Sequence, residues 1–159
     1  MIPQPTGRLD GNDLILTRTF RAPIDDVWTS ITDPTSTARW FAAWEGEPGE
    51  GKMIRWKMTF EKGDKWTDVH IDRCDRPNHL AVTSQGAFGA WSLEVRLKQT
   101  GDTTVMTFVH HLRDTKMIGE VGPGWEYYLD NLVASRDNAT MPTWDDYYPA
   151  QKPYYVALA

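Results

Sequence analysis

The sequence predicts a single α+β domain in which a curved antiparallel sheet of about six strands surrounds one long C-terminal helix. Three observations support this fold class. A strand-like segment at residues 14–21 precedes two short helical turns, several segments with alternating apolar residues follow, and a longer helical pattern covers roughly 117–137. We expect one domain over residues 1–159, with its core at about 12–137 and a C-terminal tail at 138–159.

The first strand carries one charged residue among its apolar positions. In "LILTRTFR" (14–21), every second residue lies on the same face of the strand. This pattern groups Leu14, Leu16 and Phe20. Arg18 alternates with these residues, so it lies either on the inner face or at the sheet edge. On the inner face its guanidinium would need a carboxylate partner or a ligand anion.

Two short helices follow a proline break after this strand. Pro23 suits the first position of a helix, and Asp33 suits the N-cap of the next one, which begins at Pro34. Helical spacing in the first of them is shown by Ile24, Val27, Trp28 and Ile31.

The middle of the chain reads as an antiparallel meander. Its strand-like segments, separated by turn residues, are 52–60, 66–74, 80–84, 91–98 and 104–112. In the segment 52–60, alternate residues share one face of the strand, namely Ile54, Trp56, Met58 and Phe60. In "WSLEVRLK", the same pattern groups Trp91, Leu93, Val95 and Leu97.

The long helix and the tail close the chain. Spacings of three and four place on one helix face Val121, Trp125, Leu129, Leu132 and Val133. Pro123 lies between two glycines, so the helix either begins there or kinks there.

The C-terminal tail is rich in aromatic rings. Because many exposed rings favour aggregation, we expect the tail to fold back over the domain or to cross to a second subunit, and we favour a homodimer. The rings are those of Trp144, Tyr147, Tyr148, Tyr154 and Tyr155.

Composition narrows the possible functions. The 17 basic and 22 acidic residues give a net charge of -5, which argues against nucleic-acid binding. Cys74 is the only cysteine, so an internal disulfide is excluded. The N-terminus has no signal-peptide pattern, and no apolar run reaches the ~20 residues of a membrane span, so we expect a cytoplasmic protein.

No catalytic constellation is recognisable, and no cofactor is expected. The sequence shows no Ser-His-Asp set, phosphate loop or paired acid and base, which argues against an enzyme.

His110 and His111 are neighbours on a predicted strand, so they point to opposite faces and cannot bind one metal ion together. His110 either orients a ligand or is a core histidine, whereas His70 is expected on the solvated outer face because Val69 and Ile71 compete for the inner one.

The stretch "RTFRAPIDDVWTSITDPTSTARWF" resembles the start of START-like (SRPBCC) domains, in particular the family named after the activator of the heat-shock protein 90 ATPase. The matching positions are Ala22-Pro23, Val27-Trp28, Asp33-Pro34 and Trp40-Phe41, followed by His110 and by Gly124-Trp125 with Leu129 and Leu132. The resemblance covers roughly 14–136. It implies a helix-grip fold with a cavity between the sheet and the C-terminal helix, as in lipid carriers, polyketide cyclases, plant allergens and co-chaperone domains.

We therefore expect a cavity that binds a small hydrophobic or aromatic molecule. The side chains predicted to line it are those of Trp40, Trp56, Met58, Phe60, Trp91, Phe108, His110, Trp125 and Leu129. Two alternatives remain open at this point: a regulator of a chaperone ATPase that acts through a surface patch, and a polyketide cyclase- or hydrolase-like enzyme.

Overall fold

The computed structural model describes residues 2–86 and 89–159. Within them, eight strands form one antiparallel sheet in the order β1-β2-β8-β7-β6-β5-β4-β3. The elements are β1 (Arg8–Asp10), β2 (Asp13–Phe20), α1 (Ile24–Thr32), α2 (Pro34–Thr37), β3 (Ala42–Gly46), β4 (Met53–Met58), β5 (Thr67–Asp75), β6 (His79–Gly86), β7 (Gly89–Thr100), β8 (Thr103–His111), α3 (Ile118–Asp137), a 3-10 turn (Trp144–Asp146) and α4 (Lys152–Leu158). The predicted fold class is confirmed, with two short strands, β1 and β3, more than expected.

The helices after β2 form as their sequences predict, with one difference. Val27, Trp28 and Ile31 are the buried residues of α1. Asp33 caps α2 by accepting a hydrogen bond from the Ser36 backbone N–H at 3.0 Å. Pro23 is the N-cap residue of α1 instead of its first helical residue, because its backbone is extended.

One face of the sheet, which we call the inner face, packs against α3 and the core. Cross-strand register aligns Leu14, His110, Leu93 and Val82 in a row from β2 to β6. The neighbouring row contains Leu16, Phe108, Val95 and Leu80. Alternation along each strand places the charged residues of β7, such as Glu94, on the opposite, outer face.

The helix α3 runs through its proline. It begins at Ile118, five residues before Pro123, so the helix does not start at that residue. Asn138 ends it in the left-handed conformation (φ 53°), and its N–H returns to the Ala134 carbonyl. Gly122 brings the helix against the ring of Tyr155, because a Cβ there would lie 2.3 Å from that ring.

The tail folds back over α3 of its own chain. Tyr155 is fully buried, and its hydroxyl donates to the Glu126 carboxylate at 2.5 Å. Tyr147 is 3% exposed and donates to Asp130 at 2.7 Å. Folding back is one of the two arrangements that the sequence left open.

A buried ion pair joins β2 to α3 beneath the tail. Arg18 Nη2 lies 2.8 Å from Glu126 Oε1, and its Nε lies 3.1 Å from Asp130 Oδ1. Glu126 is 1% exposed and also accepts from the backbone N–H groups of Thr6 and Gly7. Burial opposes ionisation of this carboxyl, but hydrogen bonds from Tyr155 and Arg18 outweigh it and lower the pKa of Glu126. Arg18 is therefore an inner-face residue with carboxylate partners.

Candidate functional site

Trp125 of α3 lies at the centre of an aromatic cluster between the helix and the sheet. Its ring centroid lies 4.4 Å from that of Phe108 and 6.0 Å from that of Trp91, both on the inner face. Phe41 and Tyr128 approach at 5.6 and 5.9 Å. Rings at these separations and tilts contribute packing energy beyond the area they bury.

His110 is the polar group of this cluster. The Trp125 indole N–H donates to His110 Nδ1 at 3.0 Å, and the Trp91 ring lies 4.8 Å from the imidazole. Because an indole N–H only donates, Nδ1 must carry no proton, and the neutral ring then carries its proton on Nε2. Burial, and secondly the charge of His111, lowers the pKa of His110 to about 4. His110 is therefore a neutral hydrogen-bond donor inside an aromatic environment.

His111 lies on the outer face and is protonated, in contrast to the neutral His110. Its Nδ1 lies 2.7 Å from Asp13 Oδ1, and its Nε2 lies 2.8 Å from Glu94 Oε2. Carboxylate oxygens only accept, so both ring nitrogens donate and the ring is an imidazolium. The hydrogen bond to Glu94, followed by that to Asp13, raises the pKa of His111 above its usual value. His70 also lies on the outer face, with Asp72 at 2.6 Å, as the alternation predicted.

Part of the inner face is only half-buried. Trp56 of β4 packs edge-to-face on Phe41 with ring centroids 5.0 Å apart. The half-buried apolar side chains of this face, packed at the margin of the core, include Trp56, Met58, Leu80, Val82, Trp91 and Val95. Their accessible surface adjoins the cluster around Trp125, so an apolar molecule could extend the core there.

The structure groups most of the predicted lining residues and separates one. Buried around the cluster are Trp40, Phe108, His110, Trp125 and Leu129, and half-buried at its margin are Trp56, Met58 and Trp91. Phe60 differs: it is 38% exposed and packs edge-to-face on Tyr127. The physical reason is that β4 ends at Met58, so the alternation that placed Phe60 inside stops before it.

Two residues of the cluster were not among the predicted lining residues. Tyr128 lies three residues after Trp125, and helical spacing alone could have placed it on the same side of α3. Its hydroxyl donates to the Glu61 carboxylate, a contact across 67 positions that no sequence pattern indicates. Phe41 touches four aromatic rings, those of Trp40, Trp56, Trp125 and Tyr128.

Two cavities among the described residues open at the surface. One, of about 310 Å³, is lined by Arg39, Phe60, Ala134, Ser135, Asn138, Ala139 and Met141. The other, of about 550 Å³, is lined by Glu50, Asp72, Arg73, Cys74 and Asp75. Neither of these cavities lies between Trp56, Met58, Phe108 and Trp125, so the interior pocket predicted there stays a prediction. Within residues 2–86 and 89–159, no group of three His, Cys, Asp or Glu could hold a metal ion.

The fold and the aromatic cluster define a helix-grip domain with a hydrophobic interior. The chain belongs to the Activator of Hsp90 ATPase homolog 1-like protein family, whose sequence model matches residues 21–135. No curated protein matches the chain. In the part of the chain that the structure describes, none of the helices has the length and apolar character of a membrane span.

Solved structures extend the similarity into the tail. The crystal structure of CalU16 from Micromonospora echinospora is 26% identical, with a TM-score of 0.77, and the match covers 98% of this chain and 95% of that one. The solution structure of the BPP1335 protein from Bordetella parapertussis shares the fold at 21% identity, with a TM-score of 0.79 and coverage of 98% and 91%. DynU16, from the dynemicin biosynthetic locus, shares it at 19% identity, with a TM-score of 0.72 and coverage of 88% and 51%.

Proposed function

We propose that the protein binds a small hydrophobic or aromatic molecule between α3 and the inner face of the sheet. The observation that carries the proposal is the half-buried apolar surface at the margin of the core, where Trp91 lies 4.8 Å from the neutral His110 and Trp56 and Met58 also remain partly exposed. Binding pockets for small molecules combine such apolar walls with few polar groups that fix orientation.

Burial supplies the affinity in this proposal. Each Å² of apolar surface removed from water contributes about 25 cal/mol, so a ligand the size of a naphthalene that covers the exposed part of Trp91 gains binding free energy from burial.

His110 supplies orientation. A ligand oxygen that accepts from Nε2–H would leave the Trp125 hydrogen bond on Nδ1 intact. Among the described hydrogen bonds, His110 has no carboxylate partner, which favours binding over the cyclase- or hydrolase-like alternative. The origin of the related DynU16 in a biosynthetic locus is consistent with small-molecule binding.

A second candidate function is regulation of a chaperone ATPase. The description of the family, an activator of the Hsp90 ATPase, favours it. This function would use the surface and would leave the aromatic interior closed. Stimulation of a purified chaperone ATPase by this protein, unchanged by Trp91→Ala, is the result that supports this candidate.

A fluorescence titration tests small-molecule binding. N-phenyl-1-naphthylamine, a neutral apolar dye, is expected to bind saturably, and Trp91→Ala should weaken its binding. Trp144→Ala is the matched control, because Trp144 is 39% exposed on the tail. Absence of saturable binding, or equal loss in both variants, would contradict the proposal.

The role of His110 is tested with two competitors that differ in one oxygen. 2-Acetylnaphthalene carries a carbonyl acceptor and 2-ethylnaphthalene does not. We expect His110→Ala to weaken displacement by the acetyl compound by about 1–3 kcal/mol more than displacement by the ethyl compound, since only the former loses a buried hydrogen bond. His70→Ala removes an outer-face histidine and should change neither. Equal effects on both competitors, with a lower melting temperature, would make His110 a core residue.

A further inference from the structure

A surface cavity at the C-terminal end of α3 lies apart from the aromatic interior. We call it the α3-end pocket, and its volume is about 310 Å³, at the lower end of the range for ligand pockets. Its walls come from three parts of the chain, namely the segment after α2, the connection after β4, and the end of α3 with the start of the tail. The family match ends at residue 135, so the wall formed by Ala139 and Met141 comes from the tail.

Two large apolar side chains of the pocket remain partly exposed. Phe60 is 38% and Met141 is 36% exposed. Both line the same cavity, together with the small side chains of Ala134 and Ala139. A ring or short alkyl chain placed between Phe60 and Met141 would remove apolar surface from water on both sides.

The polar side of the pocket is positively charged. Arg39 is the one charged group among the lining residues that the structure describes. Its Nη2 donates to the Ser135 carbonyl at 2.8 Å, which fixes the guanidinium at the helix end. Among the described hydrogen bonds Arg39 uses only Nη2, so Nε and Nη1 remain as donors for a carboxylate.

Two carbonyls near the C-terminal end of α3 are paired beside the pocket. The Ala134 carbonyl accepts from the N–H groups of Asn138 and Ala139, and the Ser135 carbonyl accepts from Arg39. These two carbonyls are therefore already paired, and the Arg39 guanidinium supplies the positive charge that offsets the negative end of the helix dipole.

We propose that the α3-end pocket binds a small amphipathic anion, an aromatic or short-chain carboxylate. Its apolar body lies between Phe60 and Met141, and its carboxylate accepts from Arg39. This site shares none of its lining residues with the cluster around Trp125, so it can exist whether or not the interior binds a ligand.

Three probes with one skeleton test the proposal on the full chain. Phenylacetate, phenylacetamide and phenethylamine share a ring and differ in charge. In amide-resolved NMR titrations, phenylacetate is expected to shift the backbone amides of Ser135, Asn138 and Ala139 saturably. Its affinity should exceed that of the amide at least about fivefold, a margin of roughly 1 kcal/mol in binding free energy, and the amine should be weakest.

Variants then separate the two halves of the site. Arg39→Gln should reduce phenylacetate to the affinity of the amide, Arg39→Lys should restore part of the preference, and Phe60→Ala should weaken both ligands. Arg21→Gln is the matched control, since Arg21 is an exposed arginine outside the pocket that pairs with Asp102. Shifts confined to Trp91, His110 and Trp125, no saturable shifts, or a preference for phenylacetate that survives Arg39→Gln would each overturn the proposal.

Discussion

At the scale of single residues, two neighbouring histidines on β8 are held in different protonation states. His110 points into the aromatic cluster and accepts from Trp125, so protonation of Nδ1 would break that hydrogen bond. His111 lies between Asp13 and Glu94 and is stabilised as a cation. The positive charge of His111 also disfavours a second charge on His110, so the outer face helps to keep the inner histidine neutral.

The pKa of His110 makes stability depend on pH. Its pKa is about 4 in the folded protein and 6.5 in the reference state, so between these values the unfolded chain binds a proton that the folded chain does not. This contribution to the free energy of unfolding is therefore complete above pH 6.5 and is lost as the pH falls towards 4. The full shift corresponds to about 3 kcal/mol.

Urea unfolding at pH 7 and at pH 4.5 measures this effect. His110→Gln retains an acceptor for Trp125 but does not titrate in this range, so the wild-type protein should lose about 2–3 kcal/mol more than this variant between the two pH values. His70→Gln provides the control for loss of an outer-face histidine. Equal pH dependence in the wild type and His110→Gln would show that His110 is not buried as described.

Sequence patterns predict the direction of a side chain better than its partner. Alternation placed His110 inside and His70 outside, as the structure shows. It could not identify the indole of Trp125 as the partner of His110, because that contact depends on how α3 lies on the sheet. The same holds for Arg18: the inner face was one of two options, and its pairing with Glu126 spans 108 positions.

At the scale of secondary-structure elements, glycines let α4 approach α3. A Cβ on Gly122 would lie 2.3 Å from Tyr155 Cγ, and one on Gly119 would lie 3.0 Å from side-chain atoms of Lys152 and Val156. A Cβ on Gly124, two residues further along the same helix, would have no atom of the described residues within 4 Å beyond its own helix backbone and chain neighbours. The two glycines that flank Pro123 therefore have different roles.

Gly122→Ala and Gly124→Ala form a matched pair that tests this packing. Gly122→Ala must displace the fully buried ring of Tyr155, and we expect it to lower the free energy of unfolding by about 1–3 kcal/mol. Gly124→Ala should be neutral or stabilising by up to about 1 kcal/mol, because alanine restricts the unfolded chain and favours the helix. Urea denaturation of both variants is the measurement, and similar effects would contradict the close contact of α4 with α3.

Boundaries of elements were less predictable than their existence. The alternation of 52–60 identified a strand, but β4 ends at Met58 and its ladder with β5 ends at Trp56 and Thr67. Phe60 consequently leaves the inner face and lines the α3-end pocket. Alternation continues through a sequence even where backbone pairing has stopped, so it cannot show where a strand ends.

At the scale of the whole molecule, the segments around Gly7 and Tyr155 meet on α3. The backbone N–H of Gly7 donates to Glu126 and lies 3.1 Å from the Tyr155 hydroxyl oxygen, and Tyr154 donates to the Gly7 carbonyl. The seam formed by Gly7, Arg18, Glu126 and Tyr155 thus joins the N-terminal segment, β2, α3 and α4. The tail lies beyond the family match, yet it completes the environment of a buried carboxylate.

Deletion of residues 142–159 should therefore destabilise the domain. Glu126 would lose the hydrogen bond from the Tyr155 hydroxyl and Asp130 that from Tyr147, and breaking a buried polar network typically costs about 3–5 kcal/mol. If the truncated chain does not fold, Tyr155→Phe gives the milder test, with an expected loss of about 1–3 kcal/mol because only the hydroxyl is removed. Tyr148→Phe is its control, since Tyr148 is half-buried and stacks on Trp144.

The dependence of the melting temperature on protein concentration distinguishes two arrangements of the tail. In one the tail packs on its own chain, and in the other it crosses to a second subunit. A tail that packs on its own chain gives the same melting temperature over about a hundred-fold range of concentration, because no association is linked to unfolding. A homodimer that exchanges or shares the tail would melt at higher temperature as concentration rises, and light scattering would show twice the monomer mass. Because Tyr147 and Tyr155 are already buried within one chain, we expect the first result, and a concentration-dependent melting temperature lost on tail deletion would establish the dimer instead.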